Sequence, residues 1–597
     1  MIGFRSLLLG FAFFAFSAGA TVAQDAAPSG TEVPAATLKL NVRTVLVDVV
    51  VMDKDGHAVP GLTKDDFQVT ENGAPQTIDF FEPHFASAPG AAPAAPPLPP
   101  NTFTNVPATA PNEAVNVLLM DALNTQLADQ MYVHKEMVRY LASIPPGIRI
   151  GIFLLSEKLR IIQGFTQDST VLRASIARLA ANPQSAPLLP STSEMEAQSS
   201  AVNMLLDQPM GSGLTSAIAL QDFMNEESNF EHNEQLLVTL DSLQTIAHYL
   251  AGVPGRKNLI WFVGSIPVCL PGVATSVLGC PYQEKYDKTI KMLAAARVSV
   301  YPISASGVVA PNGDISGQAQ GQSSPLTTTA GADPLHSSLS GPSLPVGPFG
   351  DQSDLIERGI WAEKTGGKAF VRNDFKQELA EAIADGSRYY TLAYTPGDRK
   401  EMGRERKIDV KVLSGKYKLF YRHSYDEETP KELRAAEVAP AKDPLRPMMD
   451  RGMPDFTELR YRMTVAPVVP QPAPDAAHAG DNADLKPPFT RYRVGFSLAM
   501  DGLTLVPGPD GIRRQTIEVA LIAYSQAGKP LNWQVRSIGL AVRPEQMAIA
   551  QSSGIPFHFD FDAPPGDVYL RTGIYAVSSS RAGTLEIPLS SITVAQR

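Results

Sequence analysis

Apolar residues fall in short unbroken runs along the middle of this chain, and those runs alternate with stretches of helical spacing. Val115–Met120, Ile148–Leu155, Leu159–Phe165, Asn258–Val263 and Val298–Ile303 are of strand length and largely lack a polar alternate. Strands of a parallel sheet read this way because helices cover both of its faces. Between and after them, Met131–Ile144, Leu236–Leu250, Tyr286–Ala296, Leu355–Thr365 and Phe375–Ala384 predict helices. The clearest carries Leu236, Leu237, Leu240, Leu243, Ile246, Ala247 and Leu250 on one face, the i, i+3, i+4 pattern of a helix with one buried stripe. Asp168 is placed to cap a further helix through Leu179, since its carboxylate can accept the first free N–H groups. Lys368–Val371 is one more short strand. Alternation of this kind specifies an α/β unit built on a doubly wound, mostly parallel sheet.

The flanks follow a different period. Leu40–Val51 is rich in β-branched residues, Asp53-Lys54-Asp55-Gly56 has turn chemistry, and Phe67–Glu71 runs into Asn72-Gly73, a hairpin signal. Residues 37–85 therefore predict a small β domain. A calcium loop at Asp53 and Asp55 is the sharper alternative, but the remaining ligands of such a loop are missing. The Pro/Ala-rich segment 86–113 is assigned as a linker. The α/β unit spans 114–425, with polar insertions at 183–230 and 305–350 and closing strands at 389–395, 407–413 and 417–422. A second linker covers 426–456. Within 457–597, short strands at 490–500, 514–525, 533–542, 555–561, 568–577 and 584–589 predict a β-sandwich.

Length, charge, the N-terminus and the cysteines each add to this picture. A chain of 597 residues is expected to hold several domains of ~150 residues each. A formal net charge of −10 gives no support for nucleic-acid binding. Arg5, the apolar run Leu7–Phe16 and the small residues up to Ala23 have the three-part layout of a secretory signal. Residues 1–23 are accordingly read as a cleaved signal peptide, leaving an exported chain, periplasmic or extracellular, with no later transmembrane anchor. Cys269 and Cys280 are the only cysteines, and export makes a disulfide between them the expected state.

Four segments together resemble the von Willebrand factor type A domain, and specifically the exported "VWFA-related" family described from acidobacterial genomes. They are Val42–Glu82 as a leading β module, Asn116–Thr125 as first strand and loop, Pro254-Gly255-Arg256-Lys257 running into Asn258–Phe262 as central strand, and Arg388–Pro396 with its Tyr-Tyr-Thr-Leu run. The resemblance covers roughly residues 38–425. It implies a divalent cation, Mg2+ or Ca2+, at the top of the sheet, held by an Asp-x-Ser-x-Ser loop, a distant threonine and an aspartate after the central strand. Asp121 matches the first aspartate and Thr125 the second hydroxyl, while Thr215 or Thr239 would supply the threonine. Leu123 stands where the first serine is expected, and Gly264-Ser265 follow the central strand where an aspartate is expected. One carboxylate with two hydroxyls is a poor cage for a hard cation, so the resemblance implies a degenerate metal site. Asn124, Gly264 and Ser265 would line a binding crevice beside it, because loops gather beyond the carboxyl ends of parallel strands.

No His-Glu-x-x-His pair, Gly-x-Ser-x-Gly elbow or phosphate-binding glycine loop is present. His134 and His248 fall on predicted helices, and Glu226-Glu227 lie in a polar insertion. The function expected from the sequence is a non-enzymatic protein–protein interaction or adhesion role at the cell envelope. The alternatives are an exported hydrolase with an unrecognised active site and a structural envelope component without metal.

Overall fold

The computed structural model describes residues 44–85, 98–106, 114–145, 147–181, 213–266, 282–305, 349–370, 374–396, 405–426, 445–473, 476–508, 510–579 and 581–593. The signal segment, Cys269, Cys280 and most of both insertions lie outside the described residues.

With elements numbered in chain order, the central sheet consists of β6 (Val115–Asp121), β7 (Arg149–Leu155), β8 (Leu159–Thr166), β9 (Lys257–Val263) and β10 (Val298–Ser304). Their order is β10-β9-β6-β7-β8, with β10, β9, β6 and β7 parallel and β8 returning antiparallel. Successive residues of a strand point to opposite faces, and both faces are filled. Val117 and Leu119 of β6 join Leu259 and Trp261 of β9 under α3 (Gly213–Ala251), α4 (Gln283–Ala295) and α5 (Phe349–Thr365). Leu118 and Met120 join Ile260 and Phe262 under α1 (Leu127–Leu141), α2 (Ser169–Ala181) and α6 (Phe375–Gly386). Asp168 caps α2, its Oδ1 accepting from the N–H of Thr170 at 2.8 Å. Lys368–Phe370 form no strand. Helix α3 has 39 residues, ~58 Å at ~1.5 Å per residue; among its described side chains, the apolar stripe joins the core from Leu236 onward.

The strands closing the predicted α/β unit belong elsewhere. β1 (Val45–Met52), β2 (Phe67–Glu71), β3 (Ala74–Gln76) and β4 (Ile78–Phe85) combine with β11 (Arg388–Tyr394), β12 (Glu405–Val412), β13 (Lys418–Phe420) and β14 (Ser424–Asp426) in two four-stranded sheets. Their orders are β13-β1-β11-β4 and β14-β12-β2-β3. The α/β unit therefore ends before residue 388 and not at 425: the chain leaves this β module after residue 85 and returns to it at 388. The β2–β3 turn is the expected one, with Asn72 at φ 48° and Gly73 at φ 83°. Asp53 Oδ1 accepts from the backbone N–H of Asp55 and His57, the behaviour of a turn aspartate; among the described residues no group of three or more His, Cys, Asp or Glu is disposed to hold a metal.

The Pro-Gly-Arg-Lys segment is the joint between this module and the central sheet. Arg256 Nη2 donates to Tyr301 Oη at 2.9 Å and to the Gly366 carbonyl at 2.7 Å, while its N–H reaches Tyr389 Oη at 3.2 Å. Arg297, just before β10, grips Asp48 of β1 through Nε at 2.9 Å and Nη2 at 2.5 Å, and Thr391 Oγ1 donates to the same carboxylate. Burial alone would push the Asp48 carboxyl up, but the Arg297 and Arg256 guanidiniums and the Thr391 hydroxyl hold it below 3.8. The residues that carry the resemblance at 254–257 and 388–391 therefore do architectural work, at the amino-terminal edge of the sheet.

The C-terminal sandwich pairs β20 (Ile555–Ala563), β16 (Thr490–Leu498), β15 (Tyr461–Pro467) and β5 (Thr102–Thr104) in one sheet. The other orders β17 (Val506–Pro507), β18 (Arg513–Ser525), β21 (Val568–Ala576) and β22 (Arg581–Pro588), with β19 (Pro530–Val542) on the free side of β18. A short helix, α7 (Met547–Ser553), precedes β20. Both assigned linkers contribute to it. β5 lies within 86–113, and Leu445, Met449 and Phe456, within 426–456, pack on Ala520 and Tyr575. The sandwich is tied to the lower end of α3. Thr457 Oγ1 donates to the Tyr249 carbonyl and accepts the Gly252 N–H, each at 2.8 Å. His248 stacks on Phe456, and its Nδ1 lies 2.7 Å from Glu458 Oε2.

Candidate functional site

β6 ends in a carboxylate, and the chain turns immediately after it. Asp121 is 2% exposed, yet its two oxygens are well supplied with donors. Oδ1 accepts from the Asn124 N–H at 2.9 Å; Oδ2 accepts from Asn124 Nδ2 at 2.8 Å and from the Trp261 indole N–H at 2.9 Å. Asn124 Nδ2 spends its second hydrogen on Thr239 Oγ1 of α3, also at 2.8 Å. Burial raises the Asp121 carboxyl to about 6, against the opposing pull of the Asn124 and Trp261 hydrogen bonds.

The loop after β9 closes on this cluster. The Gly264 N–H donates to Thr125 Oγ1 at 2.8 Å and the Ser265 N–H to the Asn124 carbonyl at 3.1 Å. A Cβ on Gly264 would stand 2.9 Å from the Asn124 carbonyl and 3.1 Å from Thr125 Cα, so glycine is what permits the approach. Arg358, buried in α5, donates through Nη2 to the carbonyls of Val263 and Gly264 at 3.1 Å each. Gln130 Nε2 holds the carbonyls of Ala122 and Thr125 from the α1 side.

The structure thus brings Asp121, Asn124, Thr125, Thr239, Gly264 and Ser265 together, as expected. Thr215 is excluded. It lies on the same helix as Thr239, ~36 Å away along the axis at ~1.5 Å per residue. The expected crevice is closed: Asn124, Gly264 and Ser265 bond across it. The space left beneath, bounded by Asp121, Thr125, Gln130 and His134, is ≈ 10 Å³, about the room of one water. The expected cation does not fit the donor set either. A hard divalent ion needs about six oxygens, and here the Asp121, Thr125 and Thr239 oxygens already accept N–H groups.

Trp261, Gln130 and Arg358 were not anticipated as parts of the site. Trp261 read as one more apolar strand residue, and its N–H direction has no sequence signal. Arg358 left only a faint trace, a charge between the apolar positions of a predicted helix.

No family model matches the chain, and no curated protein matches it. Solved structures similar to it include an aerotolerance-related membrane protein from Bacteroides fragilis, 11% identical, covering 46% of this chain and 98% of that one at a TM-score of 0.20. BatB from Bacteroides thetaiotaomicron is 11% identical, covering 45% and 98% at 0.19. A von Willebrand factor type A protein from Catenulispora acidiphila is 9% identical, covering 56% and 73% at 0.15. Superpositions this loose carry no argument, and the functional reading rests on the chain's own geometry.

Proposed function

We propose that this is an exported, non-enzymatic interaction protein that captures a protein partner at the carboxyl edge of its central sheet. The observation that supports it is the placement of the joints. The β module is fastened through Arg256, Arg297 and Asp48, and the sandwich through the last turn of α3, all at the amino-terminal edge. At the carboxyl edge, Leu127 and Met131 in the first turns of α1 are 44% and 63% exposed, four residues apart and so on one helical face. Binding sites in α/β folds favour this edge.

A hydrolase would need a nucleophile and a base within hydrogen-bond reach. Asp121 instead faces an amide and an indole, partners suited to holding a loop. Export is inferred from the N-terminal pattern; among the described residues no helix is long and apolar enough to cross a membrane.

The test is a pull-down from envelope extract with the full chain, with and without chelator. Capture should survive chelator and be lost in a Met131→Arg/Ser265→Arg double variant that keeps the wild-type circular dichroism and melting profile. Undiminished capture by that folded variant would place the partner on another surface.

A further inference from the structure

We propose that the Asn124 side-chain amide occupies the position of a divalent cation, joining the Asp121 loop to α3 so that the carboxyl edge holds its shape without metal. The chemistry is specific to an amide. A neutral –NH2 has two hydrogens, and Asn124 Nδ2 directs them at the two oxygens that a bridging cation would link, Asp121 Oδ2 and Thr239 Oγ1, each at 2.8 Å. Asp121 and Thr239 are 2% and 1% exposed, so without the amide they would be buried acceptors short of a donor.

The remaining contacts agree with this assignment. Asn124 Oδ1 is buried with no hydrogen-bond partner, so the side chain is held through its nitrogen alone. The opposite orientation would set Oδ1 against the Asp121 carboxylate, oxygen against oxygen. Leu123, where the resemblance expects a hydroxyl, is completely buried in the core under α3 and α4, which removes one cation ligand. Gly264 removes the second carboxylate and lets the loop after β9 pack on Thr125. The departures from the metal-binding pattern are therefore coordinated. Lost oxygens are matched by a gained N–H bridge, with Trp261 Nε1 supplying a further donor.

The proposal concerns the loop and holds whatever docks on the edge, so its failure would leave the partner reading standing. Wild-type protein stripped of metal should show no change in melting temperature on addition of millimolar Mg2+, Ca2+ or Mn2+. It should also show no Tb3+ luminescence sensitised through Trp261. Asn124→Asp replaces the donor with a carboxylate facing Asp121. It should melt lower in chelator, recover with Ca2+ or Mn2+, and bind Tb3+ at least tenfold more tightly than wild type. Asn124→Ala serves if the aspartate variant does not fold: it removes the bridge without adding an oxygen and should melt lower than wild type with or without cations, and an alanine variant that melts as wild type would overturn the proposal. A saturable wild-type cation site that Thr239→Ala abolishes would overturn the proposal. A folded Asn124→Asp variant that ignores every cation would overturn it as well.

Discussion

Replacing Trp261 by phenylalanine tests whether a charged carboxylate sits at the centre of the loop. The substitution deletes one donor to a buried acid, a hydrogen bond of the charged class worth about 1.5–3 kcal/mol. It also leaves a void beside Trp361, whose ring centroid lies 5.8 Å from that of Trp261; an unfilled ~40 Å³ would cost ~1 kcal/mol. The cavity part is independent of pH and the hydrogen-bond part is not. Asp121 is raised from 3.8 to about 6 by burial, which corresponds to ~3 kcal/mol between its two protonation states. Because the folded-state value lies above the unfolded one, the wild-type contribution is fully present below pH ~4 and is lost as pH rises through about 6. At pH 8 the carboxylate is charged and the indole bond has its full strength; at pH 5 the acid is mostly protonated and the bond is weaker. Trp261→Phe should therefore cost about 2.5–4 kcal/mol at pH 8 and ~1–2 kcal/mol less at pH 5. Urea unfolding at both pH values measures this, with Trp361 fluorescence reporting on the central core. An equal loss at both would mean that Asp121 does not change charge in this range and would refute the reasoning.

Four further outcomes follow from the joints and the loop. Arg297→Ala leaves Asp48 buried without its bidentate partner and should cost about 3–5 kcal/mol, read as release of the β module in limited proteolysis. Against the effect of burial, the Asp48 carboxyl is held below 3.8 by Arg297, so in wild type the joint should be fully stable above that value and weaken progressively as pH falls below it; a joint whose stability does not decline with falling pH contradicts this. Gly264→Ala forces a Cβ to 2.9 Å from the Asn124 carbonyl and should destabilise the central unit by about 1–3 kcal/mol, measured by urea unfolding followed through Trp361. His248→Ala removes both the stack on Phe456 and the contact with Glu458; hydrogen exchange at Thr457 should accelerate while the core amides of β6 stay protected, and uniform acceleration would show the sandwich and central unit unfold as one.

Much of the architecture was legible because it depends on local pattern. β6, β9 and β10 are runs of consecutive buried residues, and only a strand covered on both sides needs such a run. The Asn72-Gly73 turn was legible because two successive positive φ angles restrict the residues that can occupy it. Thr239 and Asn124 could be named as candidates, but not their partnership, which depends on α3 bringing residue 239 to within hydrogen-bond reach of a loop 115 residues earlier. The closing strands were misassigned for the same reason. β11 is buried over six consecutive residues, as a strand of the central sheet would be, and nothing local records that its neighbours are β1 and β4 rather than β10.

The sequence by itself determined that a parallel sheet would be sandwiched between helices and flanked by β domains, and that the resembling cation site had lost oxygens at positions 123 and 264. Tertiary structure alone decided what those losses mean. Hydrophobic periodicity fixes which face of an element is buried, since that depends on near neighbours in the chain. Whether a buried carboxylate meets a cation, an amide or an indole depends on where distant segments converge, and at Asp121 they converge as hydrogen-bond donors.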